Sequence, residues 1–318
     1  MKNNKIEFGD CREIMRRWAA DGVKAQTCVT SPPYFGLRDY GHEGQMGLEQ
    51  TPDEYVTAMV DVFRCVRDVL MDDGTLWLNI GDSYVSSPRG NKPGQTSTSS
   101  LTNPKRQDEI VRDGVDKSKI NGLKQKDLIG IPWMLAFALR ADGWYLRQDI
   151  IWHKPNPMPE SVSDRCTKAH EYVFLLSKRQ QYFYDAEAVK EPVASSTVER
   201  LTQKTLGSQA GSARVPGKTN GNMKAVGNTE TRNRRSVWTV PTKPYKGAHF
   251  ATFPPALIEP CILAGSRPGD IVLDPFMGSG TTAYVAARAS RKYLGCELNE
   301  DYRSLQEARL ESLGGLSL

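Results

Sequence analysis

The segment Asp274-Pro275-Phe276-Met277-Gly278-Ser279-Gly280-Thr281-Thr282 holds the residues best suited to chemistry. It follows an apolar run, Ile271-Val272-Leu273, and precedes a helical stretch. A buried strand that enters a glycine turn opening a helix makes a ligand crevice in α/β sheets. Glycines let the backbone turn tightly and approach a ligand closely. The next strand ends in Glu297, nineteen residues past Gly278, where a carboxylate can accept both hydroxyls of a ribose. Gly278-x-Gly280-x-x-Ala283 also approximates the dinucleotide fingerprint, which keeps a dehydrogenase as an alternative. Asp274 argues against that alternative. A pyrophosphate would meet an unfavourable charge there, whereas a ligand carrying an ammonium group would be attracted.

A second candidate is Thr30-Ser31-Pro32-Pro33-Tyr34, directly after the apolar run 27–29. Two prolines fix φ and remove two donors, so the loop is rigid and presents carbonyls. An exocyclic base amine is a poor nucleophile, because its lone pair is delocalised into the ring. The Ser31 hydroxyl and the Pro32 carbonyl can accept its hydrogens and favour sp³ character at nitrogen. Tyr34 offers a stacking face. A Pro-Pro turn bearing an ordinary surface tyrosine is the plainer alternative.

These loops need a scaffold of strands and helices. Helical spacing over 53–70 places Tyr55, Met59, Val62, Phe63, Val66 and Leu70 on one face. Thr51 and Glu54 have the spacing of a capping box. Asp72-Asp73-Gly74 predicts a turn into a strand over 75–80, and 127–141 predicts a second amphipathic helix. Strands are expected at 144–152 and 171–177, a helix at 258–263, a helix at 281–289 and a strand at 292–296. Alternating strands and helices predict an α/β domain with a mainly parallel sheet.

Two segments stand apart in charge. Residues 86–126 carry nine Lys/Arg against four Asp/Glu, and residues 190–236 carry nine against three, within a chain of net charge +5. Neither contains an aromatic residue, so both are expected to be mobile loops without a partner. Basic inserts on an otherwise acidic body suit a polyanion. No run of about 18 apolar residues occurs, so no transmembrane helix is expected, and the polar start is unlike a signal peptide; a cytoplasmic location is the expectation. None of the six cysteines forms a C-x-x-C pair, and there are four histidines; reduced thiols and no metal site are expected.

Together the segments resemble the amino-methyltransferases of DNA. Asp274 to Thr282 is similar to their S-adenosylmethionine motif, Thr30 to Tyr34 to their catalytic motif, and Gly9-Asp10-Cys11 to the segment that meets the cofactor's adenine. The order, catalytic motif first and cofactor motif last, resembles the circularly permuted β group. Trp152 to Pro157, His170-Glu171-Tyr172 and His249 to Pro254 also fit. The resemblance implies a Rossmann-like fold with a mostly parallel seven-stranded sheet flanked by helices. It implies one catalytic domain over 1–318, with 86–126 as an insert and 190–236 as a candidate target-recognition loop.

The resemblance further implies site residues. Asp274 would hold the methionine amino group and Phe276 would line the pocket. Gly278, Ser279, Gly280 and Thr281 would form the close backbone approach. Glu297 would take the ribose, with Asp10 and Cys11 at the adenine. Ser31, Pro32, Pro33 and Tyr34 would take a flipped base. On charge, Arg232, Arg234 and Arg235 in the basic segment 190–236 are the candidate contacts to double-stranded DNA, and the resemblance implies a bacterial, archaeal or phage setting. A cognate restriction nuclease and a homodimer accompany that class. Serine at position 31 favours N4 of cytosine as the target, with N6 of adenine as the alternative. A C5-cytosine enzyme, which would need Cys261 after Pro260 as nucleophile, is a rival, as are RNA and protein-glutamine methyltransferases.

Overall fold

The structure is a computed structural model that describes residues 4–37, 42, 44–85, 120, 122–201, 230–242 and 253–314. Its contacts divide the chain into two compact units, 1–184 with 236–318, and 185–235.

The first unit is built on one sheet. Its strands are β1 (Lys5–Phe8), β2 (Ala25–Thr30), β3 (Leu70–Ile80), β4 (Tyr145–His153) and β5 (His170–Ser177), with β8 (Val237–Thr239), β9 (Ile271–Asp274) and β10 (Lys292–Glu297) closer to the C-terminus. The order across the sheet is β1-β10-β9-β2-β3-β5-β4-β8. The first five neighbours pair in parallel, β5 is antiparallel to β3 and to β4, and β8 joins β4 in parallel. Seven strands thus carry a mostly parallel sheet, and the three-residue β8 extends its edge.

Residues of β2 and β3 alternate between two faces, as the pleat requires. Cys28, Leu76 and Leu78 face a core shared with helices α1 (Cys11–Ala20), α2 (Pro52–Val69) and α3 (Ile131–Ala141). Tyr55, Met59, Val62, Phe63 and Val66 of α2 are fully buried there. Thr51 caps α2 through a complete capping box with Glu54. The other face receives α5 (Pro255–Gly265), followed by α6 (Thr281–Arg288) and α7 (Arg303–Gly314), which pack in succession. A Cβ at Gly265 would come within 2.7 Å of Thr27 Oγ1 and 2.9 Å of Trp77 Nε1, so only glycine permits this approach of α5 to the sheet.

Two sequence expectations shift in register. Asp72-Asp73-Gly74 is not a turn ahead of a strand. It lies inside β3 as an irregularity where the pairing jumps from Ala25–Leu70 to Thr27–Thr75. The helix expected from 127 begins at Ile131, because Leu128 is bridged to Tyr84 and Gly130 takes φ +88°. Strand β1 and helix α7 escape a periodicity reading, since β1 is four residues long and α7 has a weakly sided pattern; α1 goes unpredicted although its buried Cys11, Ile14, Met15 and Trp18 have clear helical spacing.

The second unit contains a short antiparallel pair, β6 (Glu191–Pro192) with β7 (Thr231–Arg232), and a helix, α4 (Ser195–Leu201). The flanks of the insert expected to be a loop therefore carry regular structure, while 202–229 lies outside the described residues, as does most of 86–126. Among the described residues no helix is long and apolar enough to cross a membrane.

Candidate active site

The carboxyl ends of β1, β10, β9, β2 and β3 lie side by side along one edge of the sheet, because these strands are parallel neighbours. In open α/β sheets that edge is where ligands bind. It gathers Asp10, Glu297, the glycine loop, Ser31 to Tyr34 and Gly81-Asp82 from five separate stretches of sequence.

Asp274 ends β9 and is 1% exposed. Its Oδ1 accepts from Thr30 Oγ1 at 2.6 Å and from the Phe276 amide at 3.0 Å; its Oδ2 accepts from Thr282 Oγ1 at 2.6 Å. Burial pushes its pKa up to about 6, against the opposing pull of the three donors. The carboxylate thus binds the last residue of β2 and the first turn of α6 to the glycine loop. Three internal donors leave one acceptor position, on Oδ2.

The glycine loop is held from two further sides. Gly278 and Gly280 take φ +52° and +81°, conformations that favour glycine. The Gly278 amide donates to Glu297 Oε2 at 2.6 Å, and its carbonyl accepts from Gln306 Nε2 at 2.7 Å. Arg309, also on α7, donates to Thr281 Oγ1. A methyl group on Gly295 would run into Met277. Ser279 Oγ is buried with no hydrogen-bond partner. Phe276 is partly buried against the core.

Glu297 is 9% exposed, and burial raises its pKa. Its Oε1 accepts from the Asn299 amide at 2.9 Å. Phe8 of β1 pairs with Glu297, and the Gly9 amide donates to the Glu297 carbonyl at 2.8 Å, which sets Asp10 and Cys11 beside it. Asp10 caps α1 through the Arg12 amide at 2.7 Å and takes the Arg12 guanidinium at 2.5 Å. The Arg12 side-chain hydrogen bonds hold its pKa below the usual carboxylate range. Cys11 is buried, and its thiol is pushed up to about 12.

On the β2 side, Ser31 is half-buried and Pro32 buried. The Pro33 carbonyl accepts from Tyr55 Oη at 2.8 Å, and Gly36 donates to Gly47 at 2.7 Å, so the loop is pinned at both ends. Tyr34 packs against Gly81, and a small cleft opens between Tyr34, Leu37, Asp82 and Ile131. Asp82 accepts from the amides of Gly130 and Ile131 at 3.1 and 3.3 Å, anchoring the start of α3.

The structure brings together every residue singled out around the glycine loop and the Ser-Pro-Pro-Tyr turn. The three arginines belong to the second unit. Arg232 pairs with Glu191 at 2.9 Å, Arg235 lies 3.7 Å from the same carboxylate, and Arg234 Nε is buried. Cys261 is 1% exposed within α5 and donates to the Leu257 carbonyl at 3.7 Å, so it is a core thiol and not a nucleophile. Sequence reasoning misses Thr30, Gln306 and Arg309 as supports of the loop. It reaches Lys154 and Glu171 without giving them a role.

An α/β sheet whose carboxyl edge gathers a glycine loop, a buried acid and a rigid proline turn is built to bind a ligand along that edge. Comparison with known proteins gives the family. The DNA methylase family model N6_N4_Mtase matches residues 25–308, and the chain belongs to that family. It is similar to the type II methyltransferase M.SmaI of Serratia marcescens, with 46% identity covering 98% of this chain and 91% of the relative. M.Cfr9I of Citrobacter freundii is also 46% identical, over 95% of this chain and 86% of its own length. Among solved structures, the cytosine-N4-specific PvuII DNA methyltransferase aligns with a TM-score of 0.60 at 18% identity, covering 97% of this chain and 86% of the other. The M1.HpyAVI–SAM complex aligns at 0.56 with 18% identity, covering 96% and 98%. The fold is that of these methyltransferases.

The Asp274 junction yields an expectation. Thr282→Val removes one donor from a buried carboxylate and leaves Oδ2 unsatisfied, costing roughly 1–3 kcal/mol. Thermal or urea unfolding should register that loss; stability equal to the wild type would mean that Thr282 does not support Asp274.

Proposed function

We propose that the chain is a type II DNA methyltransferase that uses S-adenosyl-L-methionine to methylate the exocyclic amine of a flipped base, N4 of cytosine. The observation that carries this reading is the Thr30–Asp274 hydrogen bond, which sets the acceptor loop directly against the glycine loop. The type II relatives and the serine at position 31 support it, and the fold shared with the cytosine-N4-specific enzyme is consistent with it. N6 of adenine is the second reading, since the family model spans both chemistries.

The residues present fit the cofactor. Ser279 Oγ is a buried hydroxyl awaiting a partner, Asp274 Oδ2 retains an acceptor position, and each Glu297 oxygen has accepted one amide and can accept again. Asp274 would attract the ammonium group and Phe276 would line the pocket. Gly278, Ser279, Gly280 and Thr281 would take the methionine end, Glu297 the ribose, and Asp10 and Cys11 the adenine. When bound, the cofactor supplies an electrophilic methyl group. Ser31 Oγ and the Pro32 carbonyl then accept the hydrogens of the target amine, Pro33 holds their spacing, and Tyr34 gives the extruded base a face. Catalysis rests on positioning and on fixed dipoles. Sequencing of modified bases in DNA from an expressing host tests the reading. N4-methylcytosine at a defined site is expected, N6-methyladenine would replace the first reading by the second, and unmodified DNA would overturn both.

Affinity for the cofactor should depend on pH through Asp274. Its pKa is raised to about 6, so it is ionised at neutral pH and takes up a proton as pH falls through that value, losing its attraction for an ammonium group. Calorimetry from pH 7.5 to 5 should show affinity weakening in the wild type. Asp274→Asn should be weaker by about 1.5–3 kcal/mol at pH 7.5 and flatter across the range. Identical profiles would remove Asp274 from the ammonium site.

The basic second unit is assigned to double-stranded DNA. Glu191 lies 2.9 Å from Arg232 and 3.7 Å from Arg235, so its one charge is shared, and the cluster stays net positive with Arg234 and Arg235. Neutralising both should reduce the log–log salt slope of DNA affinity by about 1 for each phosphate that is no longer neutralised. An unchanged slope would exclude this cluster from the interface.

A further inference from the structure

The hydroxyl of Tyr34 is committed before any substrate arrives. Its Oη donates to Glu171 Oε2 at 2.8 Å and lies 3.4 Å from Asn79 Oδ1. Asn79 Nδ2 approaches the same carboxylate oxygen at 3.3 Å and donates to the Tyr172 carbonyl at 3.0 Å. The other oxygen of Glu171 pairs with Lys154, and both side chains are under one-fifth exposed, at 16% and 18%. The Lys154 ammonium also sits 4.3 Å from the centroid of the Trp152 ring. Gly81 closes the remaining side: a Cβ there would come within 2.7 Å of Tyr34 Cε2 and 3.4 Å of Glu171 Cδ.

Three strands therefore meet at this phenol. Asn79 lies on β3, Glu171 on β5 facing Trp152 of β4, and Lys154 directly follows β4. A tyrosine that only filled space would need no carboxylate, and a carboxylate largely removed from water is costly unless it is paired and hydrogen-bonded. The sheet supplies both partners. An aromatic side chain turns about two soft torsions, and a hydrogen bond at its far end restrains both. A stacking face gives full benefit only if its plane is fixed before the base arrives.

We propose that Glu171 is a positioning residue for methyl transfer: through the Tyr34 hydroxyl it holds the phenol ring in the plane on which the flipped base stacks. Lys154 and Asn79 in turn hold Glu171. This rests on the reading above that Tyr34 meets the target base. It adds a residue from β5 that touches neither cofactor nor base.

A double-mutant cycle tests it, with single-turnover methyl transfer at saturating cofactor and KM for DNA as readouts. Tyr34→Phe keeps the ring and removes the hydroxyl. It should slow transfer on the order of tenfold, the size of one charge-assisted hydrogen bond. Glu171→Ala should do the same, and Glu171→Gln, which keeps a weaker acceptor, should lose less. In the Y34F background both Glu171 variants should cost nothing more, because the hydrogen bond they remove is already gone. Cofactor affinity should stay at the wild-type value throughout. Losses that multiply, or a fast Y34F beside a slow Glu171→Ala, would overturn the proposal. If Glu171→Ala fails to fold, Glu171→Gln and Y34F complete the same cycle. A wild-type enzyme that binds cofactor and methylates no DNA would overturn the functional reading, and this inference with it.

Discussion

The carboxylate of Asp274 joins parts of the chain that lie 244 residues apart, through Thr30, and ties them to the helix that begins seven residues on. A hydroxyl from the end of β2, a hydroxyl from α6 and an amide of the glycine loop converge on one buried group. The Ser-Pro-Pro-Tyr turn and the glycine loop are thereby locked to a common origin. An isolated carboxylate would not survive in this position, since its charge is removed from water and its pKa rises. The three donors offset that cost and leave one acceptor position facing the loop. Site and fold are thus coupled: β2 and β9 are also hydrogen-bonded neighbours, so the contact between loops continues the pairing of strands behind them.

Around that junction the support is graded. Helix α7 contributes Gln306 and Arg309, which hold the Gly278 carbonyl and the Thr281 hydroxyl. Strand β10 contributes Glu297, whose carboxylate binds the Gly278 amide while its own backbone carbonyl receives Gly9. One glutamate therefore sets the glycine loop and the β1–α1 turn at the same time. Cradling the loop from α7 and β10 lets two glycines keep φ values that would be strained for other residues.

Much of this is legible in the sequence wherever a local rule suffices. Thr51 and Glu54 announce the capping box that forms, and Asp274 to Thr282 reads as a strand, a turn and a helix start, as found. Legibility fails where tertiary contact decides. Gly74 lies in β3 because the pairing with β2 resumes past it, a choice that propensity cannot express. Leu128 carries a helical period but is taken by a bridge to Tyr84. Gln306 and Arg309 look like the exposed face of a terminal helix, yet both are buried on the glycine loop. Arg232 reads as free charge for DNA, and the β6–β7 pairing sets Glu191 opposite it. In each case the partner is remote in sequence, so no window of residues contains the information.

Charge along the sheet edge follows the strand order and not the chain order. The β1-β10-β9 end carries Asp10, Glu297 and Asp274, two of them with pKa values raised by burial. Past β3, the β5-β4 end carries Lys168 and the Lys154–Glu171 ion pair, whose charges offset each other. Lys168 is partly buried, which lowers its pKa, and its Nζ donates to the Asp82 carbonyl at 3.3 Å. The motif order of the chain is irrelevant to this gradient. Because five parallel strands deliver their carboxyl ends to one edge, the Ser-Pro-Pro-Tyr turn can come first in sequence and the glycine loop last and still meet. The permuted order costs the site nothing, since space and not sequence assigns neighbours. Thr30 therefore sits against Asp274, although 244 residues separate them in the chain.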